Sequence, residues 1–99
     1  MRYTCRMEEE MVRANVIVTG KVQGVFFRAS TMEQAQSMRV TGWVMNLPDG
    51  TVEMMLEGSR FGVEEVIKWA KNGPPDARVE DVIVRFGKYT DEFRTFVVR

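Results

Sequence analysis

Apolar and polar residues alternate along two stretches of this chain, the pattern of strands that bury one face of a sheet. The first stretch begins at Arg13, and its apolar face carries Ala14, Val16 and Val18. The second runs from residue 51 to 57, with Val52, Met54 and Leu56 on one face and Glu53 and Glu57 on the other. Further strands are predicted at residues 40–46, 79–86 and, as a short closing strand, 94–99. The chain therefore predicts a sheet with one buried side.

Two segments instead repeat their apolar residues at the three- and four-residue spacing of an amphipathic helix. The first runs from about Phe26 to Met38, and we assign its methionines to the core rather than to a functional role. The second follows Ser59, a good N-cap residue, and ends at the Asn-Gly-Pro-Pro run of residues 72–75. Its apolar face is formed by Val63, Val66, Ile67 and Ala70. Between the second and third strands, Asp49-Gly50 is a strong hairpin signal.

The resulting order, β-α-β-β-α-β, is the ferredoxin-like arrangement of the α+β class, in which two helices pack on one face of an antiparallel sheet. In the usual spatial order of such a sheet, fourth-first-third-second, the first and second strands run in the same direction with the third between them. The C-terminal ends of these two strands then lie at the same end of the sheet, roughly 10 Å apart. The first strand leads into a loop that begins at Gly20, and the second strand ends at Asn46. We therefore expect these two elements to reach one small ligand.

Composition limits the partners and the chemistry open to this fold. The chain has 99 residues, enough for one domain, and its 14 basic and 14 acidic side chains cancel. We therefore expect neither a nucleic acid nor a membrane as a partner, and we expect the outward-facing Glu53 and Glu57 to be solvated. The sequence has no histidine, which removes the commonest general base and metal ligand at neutral pH. Any catalysis must therefore proceed without an imidazole.

The N-terminal residues 1–12 show no clean apolar period, so we assign them to an N-terminal extension and residues 13–99 to the domain. Cys5 is the single cysteine and cannot form an internal disulfide. No segment has the pattern of a signal peptide or the apolar length of a transmembrane helix. These features predict a cytoplasmic protein.

One loop combines the groups that bind an anion. It joins the first strand to the first helix and reads Gly20-Lys21-Val22-Gln23-Gly24-Val25-Phe26-Phe27-Arg28. Its glycines permit positive φ, so successive backbone N–H groups can converge on an anion, to which the helix N-terminus adds its own unsatisfied N–H groups. Arg28 offers a planar guanidinium to two oxygens of a tetrahedral anion. With no carboxylate, Cys or His, the loop cannot supply a general base, a thiol nucleophile or a divalent-metal cage. On this pattern alone, a glycine-containing turn with a solvated Arg28 is the simpler interpretation.

Two later runs, Thr41-Gly42-Trp43-Val44-Met45-Asn46 and Asp49-Gly50-Thr51-Val52-Glu53, carry a more specific signal. Together with the loop they resemble the acylphosphatase family, whose signatures read Gly-x-Val-Gln-Gly-Val-x-Phe-Arg and Gly-Trp-Val-x-Asn followed by Asp-Gly-x-Val-Glu. Gly73-Pro74-Pro75 and the run Phe96-Val97-Val98-Arg99 also resemble later segments of the family. The resemblance covers about residues 13–99.

This resemblance implies the hydrolysis of acyl phosphates, which are carboxyl-phosphate anhydrides, to a carboxylate and inorganic phosphate without a metal or organic cofactor. We expect the protein to be a monomer. It also implies that Arg28 and the amides of residues 20–27 bind the phosphoryl group and that Asn46 orients the attacking water. We expect Gln23 to shape the loop by hydrogen bonding and Lys21 to be solvated. The alternative is a non-catalytic anion- or metabolite-binding module on the same fold. An RNA-binding module is disfavoured, because the outward strand residues form no aromatic stacking platform.

Overall fold

The computed structural model describes residues 10–99, which form five strands and two helices. In chain order these are β1 (Met11–Lys21), α1 (Phe27–Ser37), β2 (Thr41–Asn46), β3 (Val52–Ser59), α2 (Arg60–Ala70), β4 (Arg78–Gly87) and β5 (Phe96–Val98). Every predicted element is present. The first strand begins at Met11, before the predicted Arg13, and its Val12 is buried. Cys5 and most of the predicted extension, residues 1–12, lie outside the described residues.

The strands form one sheet in the order β4-β1-β3-β2-β5. β1 pairs antiparallel with both β3 and β4, and β3 pairs antiparallel with β2. The predicted order of the first four strands is confirmed, and so is the ferredoxin-like α+β fold. The short β5 extends the sheet beyond β2 and runs parallel to it. The C-terminal end of β5 therefore lies at the same end of the sheet as the C-terminal ends of β1 and β2.

The core lies between one face of the sheet and the two helices. All six strand residues predicted to be buried are fully enclosed: Ala14, Val16 and Val18 in β1, and Val52, Met54 and Leu56 in β3. From the helices, α1 buries Phe27, Thr31 and Ala35, and α2 buries Val63, Val66, Ile67 and Ala70. The Ser59 hydroxyl accepts a hydrogen bond from the Gly62 N–H, which confirms the predicted N-cap of α2. Each helix has 11 residues, and no helix in the described part of the chain is long and apolar enough to cross a bilayer.

The opposite face of the sheet is crossed by residues 88–95, which connect β4 at one edge to β5 at the other. Glu57 of β3 lies under this connection and is 0% exposed. Its carboxylate accepts hydrogen bonds from the backbone N–H groups of Thr90 (2.8 Å) and Asp91 (3.1 Å), from the Thr90 hydroxyl (2.9 Å) and from the Arg13 guanidinium (3.1 Å). These donors offset the loss of hydration that burial imposes on a carboxylate.

The expectation that Glu57 is solvated is therefore wrong. Alternation along β3 assigned Glu57 to the correct face of the sheet, but it gave no sign that a connection covers that face. Glu53, on the same face, is half-buried, and its carboxylate accepts a hydrogen bond from the Asn15 amide at 2.9 Å. The Arg13 guanidinium also donates to Glu92 at 2.8 Å, and this hydrogen bond lowers the pKa of the Glu92 carboxyl. The covered face therefore holds a network of ion pairs where we expected free carboxylates.

Replacing Glu57 by alanine is expected to lower the free energy of unfolding by about 3 kcal/mol, because several donors lose a buried, charged acceptor at once. Urea denaturation at neutral pH measures this loss. Glu53→Ala is the matched control on the same strand and face, and it should cost less than about 1 kcal/mol because that side chain is only half-buried. Similar losses for the two variants would show that the network around Glu57 adds nothing specific to stability.

Candidate active site

The polypeptide leaves β1 through a bulge against β4. The register between the two strands shifts after Thr19, and Gly20 has a φ of 121°. A Cβ atom at Gly20 would overlap the carbonyl oxygen of Arg78, so the close approach of β4 requires glycine there. Lys21 is the last residue of β1 and is exposed, as predicted. The bulge thus sets the direction in which the following loop leaves the sheet.

The loop then turns sharply into α1. Gly24 (φ 76°) and Phe26 (φ 64°, ψ 23°) both adopt the left-handed conformation. The backbone N–H groups of residues 23–29 donate no hydrogen bond to any described main-chain group, and the first N–H that does is that of Ser30, to the Phe26 carbonyl at 3.0 Å. The helix also has no side-chain N-cap and no acidic residue in its first turn. Successive free donors and the positive end of a helix dipole therefore meet at one place, which suits an anion.

Arg28 lies in the first turn of α1 and is half-buried. Its Nη1 donates a hydrogen bond to the main-chain oxygen of Arg99 at 2.7 Å. Arg99 is in turn fixed against β2, because its N–H donates to the Val44 carbonyl at 2.8 Å and its guanidinium lies 4.8 Å from the centre of the Trp43 ring. One donor of Arg28 is thus held by the segment that follows β5, and its other N–H groups make no hydrogen bond within residues 10–99.

Asn46 is the last residue of β2, opposite Val52. The hairpin after it is closed by a hydrogen bond from the Leu47 N–H to the Thr51 carbonyl at 2.9 Å. Inside the hairpin, Asp49 accepts hydrogen bonds from the hydroxyl (2.6 Å) and the N–H (3.0 Å) of Thr51, and these lower the pKa of its carboxyl. The conformation of the turn that follows Asn46 is therefore fixed by internal hydrogen bonds.

Gln23 joins the loop to this hairpin. Its side-chain amide nitrogen donates to the carbonyl of Leu47 at 2.8 Å and to the carbonyl of Thr51 at 2.9 Å. The prediction that Gln23 shapes the loop by hydrogen bonding is thus confirmed. The contact also fixes the loop relative to Asn46, since Leu47 is the next residue in the chain.

A pocket of about 290 Å³ opens between these elements. It is lined by Val22, Gly24, Phe26, Phe27, Arg28, Ala29, Asn46 and Val98. The pocket thus brings together Arg28 and Asn46, the two residues predicted to be catalytic. Four other residues of the predicted phosphate-binding loop do not line it: Gly20, Lys21, Gln23 and Val25.

Sequence reasoning missed the contribution of β5 to this site. Val98 lines the pocket, and Arg99 accepts the hydrogen bond from Arg28. The hydrophobic pattern predicted the closing strand, and the run of residues 96–99 resembled the family, but neither signal indicated that this strand pairs with β2 beside the site. Ala29 also lines the pocket and was not predicted. It is the residue directly after Arg28, so extending the loop motif by one position would have included it. Residues 10–99 hold no group of three His, Cys, Asp or Glu side chains placed to bind a metal ion.

Comparison with known proteins identifies the family of this chain. The sequence profile of the acylphosphatase family matches residues 14–98. The acylphosphatase of Pyrobaculum arsenaticum is 57% identical over 88 residues, which cover 88% of this chain and 93% of that protein. Among solved structures, the acylphosphatase of Coxiella burnetii superposes with a TM-score of 0.87 at 37% identity, covering 98% of this chain and all of that one. The acylphosphatase of Bacillus subtilis gives a TM-score of 0.86 at 32% identity, with 89% and 98% covered. This chain therefore belongs to the acylphosphatase family.

Proposed function

We propose that the pocket at the ends of β1 and β2 is the active site for the hydrolysis of acyl phosphates to a carboxylate and inorganic phosphate. The protein is an enzyme of the acylphosphatase family. The observation that supports the site assignment is that Arg28 and Asn46, far apart in sequence, line one pocket beside the free N–H groups of the loop. Arg28, Asn46 and the loop that would bind the phosphoryl group lie together in a single chain, and we infer that a monomer is sufficient for activity.

In this proposal the phosphoryl group binds where the loop turns into α1. The backbone N–H groups of the loop and the Arg28 guanidinium donate to its three peripheral oxygens. In the transition state of phosphoryl transfer the charge is spread over these three oxygens in a planar arrangement, so donors fixed to match that arrangement stabilise the transition state more than the ground state. Donors held by the backbone need no reorganisation during the reaction.

Asn46 orients the attacking water through its side-chain amide. The water oxygen attacks phosphorus in line with the bond to the acyl oxygen, and the electron pair of that bond leaves with the carboxylate. The proton of the water passes to an oxygen of the substrate's own phosphoryl group, because residues 20–28 contain no base. A carboxylic acid has a pKa of about 4, so the carboxylate leaves without protonation and the reaction needs no general acid. A site without histidine is therefore adequate for this reaction.

Hydrolysis of an acyl phosphate is expected to continue at an unchanged rate in excess EDTA. The positive charge at the phosphoryl group comes from Arg28 and the backbone N–H groups, and the loop has no carboxylate, thiol or imidazole to bind a metal ion. A magnesium-dependent phosphatase assayed in parallel is the control and should lose its activity. If EDTA abolishes turnover and a divalent cation restores it, the proposed metal-free mechanism fails. If the folded protein shows no turnover with or without EDTA, the proposed function fails.

A further inference from the structure

Phe26 has a side chain that the fold does not explain. Phe26 is 79% exposed, although it stands between buried Val25 and buried Phe27. Its backbone is left-handed, with a φ of 64°, a conformation that glycine adopts with far less strain than phenylalanine. A ring this exposed recovers little of that strain by burial in the free protein. Non-glycine residues in strained conformations cluster at functional sites.

The position of Phe26 suggests what its ring contacts. Phe26 lines the candidate active-site pocket, and so does Val98, which is 40% exposed. We call these two exposed apolar lining residues the apolar rim, since two further apolar residues of the lining, Val22 and Phe27, are buried. An apolar rim beside a phosphate-binding loop can receive the part of the substrate that is not phosphate.

The charges of the site favour an uncharged group at this rim. Arg28 is the one charged side chain among the residues that line the pocket, and the proposed function assigns it to the phosphoryl group. Of the other cations in residues 10–99, the Arg99 guanidinium lies over the Trp43 ring, and Lys21 does not line the pocket. An anionic acyl group would therefore meet no counter-ion other than Arg28 among the lining residues.

We propose that Phe26 binds the acyl group of the substrate and gives the enzyme a preference for acyl phosphates with an aromatic or other bulky apolar acyl group. This inference rests on the proposed function. The ring of Phe26 would pack against the acyl group at the mouth of the pocket, while the phosphoryl group lies against the loop N–H groups. Phe26 is thus a specificity-determining residue, distinct in role from Arg28 and Asn46.

The test compares kcat/KM for benzoyl phosphate and acetyl phosphate. In Phe26→Ala, the ratio of the two values is expected to fall about fivefold, the size of one lost aromatic contact. Phe26→Leu, which keeps an apolar side chain at the same backbone position, should retain most of the wild-type ratio. Phe61→Ala is the matched control, since Phe61 is also exposed (64%) but lies on α2 outside the pocket, and it should leave the ratio and both rates unchanged.

Inhibition provides a second measurement that is independent of turnover. Phenylphosphonate should bind less tightly to Phe26→Ala than to the wild type by a similar factor, relative to methylphosphonate. An unchanged ratio of kcat/KM for benzoyl phosphate and acetyl phosphate would overturn the inference. Equal losses of affinity for the two inhibitors would also overturn it, because Phe26 would then act only through the loop backbone. If the wild-type enzyme hydrolyses neither substrate, the proposed function fails and this inference fails with it.

Discussion

Replacing Arg28 by lysine is expected to lower kcat/KM for an acyl phosphate by about 10³-fold. Lysine keeps the positive charge, but its ammonium group cannot present two parallel donors to two oxygens of the phosphoryl group. The guanidinium of Arg28 is also held by a 2.7 Å hydrogen bond to the main-chain oxygen of Arg99, and a lysine ammonium cannot make this contact and bind two phosphoryl oxygens in the same geometry. Steady-state kinetics with benzoyl phosphate measures the loss, and inhibition by inorganic phosphate should weaken as well.

Arg60→Lys is the matched control for this experiment. Arg60, like Arg28, lies in the first turn of a helix, but it pairs with Glu10 and Glu64 and does not line the pocket. Its replacement should leave kcat/KM unchanged. A near-normal rate for Arg28→Lys, in a protein whose unfolding transition matches that of the wild type, would remove Arg28 from the mechanism.

Replacing Asn46 by alanine is expected to lower kcat about 10²-fold and to change the inhibition constant of inorganic phosphate less than about threefold. The variant removes the group that orients the water but leaves Arg28 and the loop N–H groups in place. The backbone of residue 46 is held by its pairing with Val52, so the loss should not spread through the sheet. Steady-state kinetics and phosphate inhibition on the same preparation measure the two effects.

Asn15→Ala provides the control for Asn46→Ala, because Asn15 is also a strand asparagine and its amide hydrogen-bonds to Glu53 on the face of the sheet away from the helices. Its loss should leave kcat unchanged. If Asn46→Ala weakens phosphate binding as much as it slows turnover, Asn46 contributes to phosphate binding rather than to the positioning of water.

Local pattern predicted the fold because the sheet buries one face in a regular way. Alternation in β1 placed Val16 and Val18 correctly, and the Asp49-Gly50 signal located the hairpin. The alternation of apolar and polar residues failed to predict burial where a segment distant in sequence covers a residue. Glu57 has the position of a solvated residue in the alternation of β3, yet residues 88–95 cover it. No local rule connects those two parts of the chain.

Part of the candidate site could also be predicted from the sequence, and part depended on contacts between distant segments. The approach of Asn46 to the loop followed from strand order, because parallel strands with one strand between them end at the same edge. The contribution of β5 did not follow, since it depends on a parallel pairing between Val44 and Val98 that the sequence does not signal. The hydrogen bond between Arg28 and Arg99 joins residues 71 positions apart, and it became visible only when that pairing was known.

The two hydrogen bonds of Gln23 have a consequence for the entropy of catalysis. They connect the loop that would hold the phosphoryl group to the hairpin that follows Asn46, through the carbonyls of Leu47 and Thr51. The relative freedom of these two parts is thus lost when the protein folds and does not have to be lost again when substrate binds. Because the phosphate-binding loop and Asn46 are already fixed relative to each other, we expect the turnover rate to follow the chemical reactivity of the acyl phosphate.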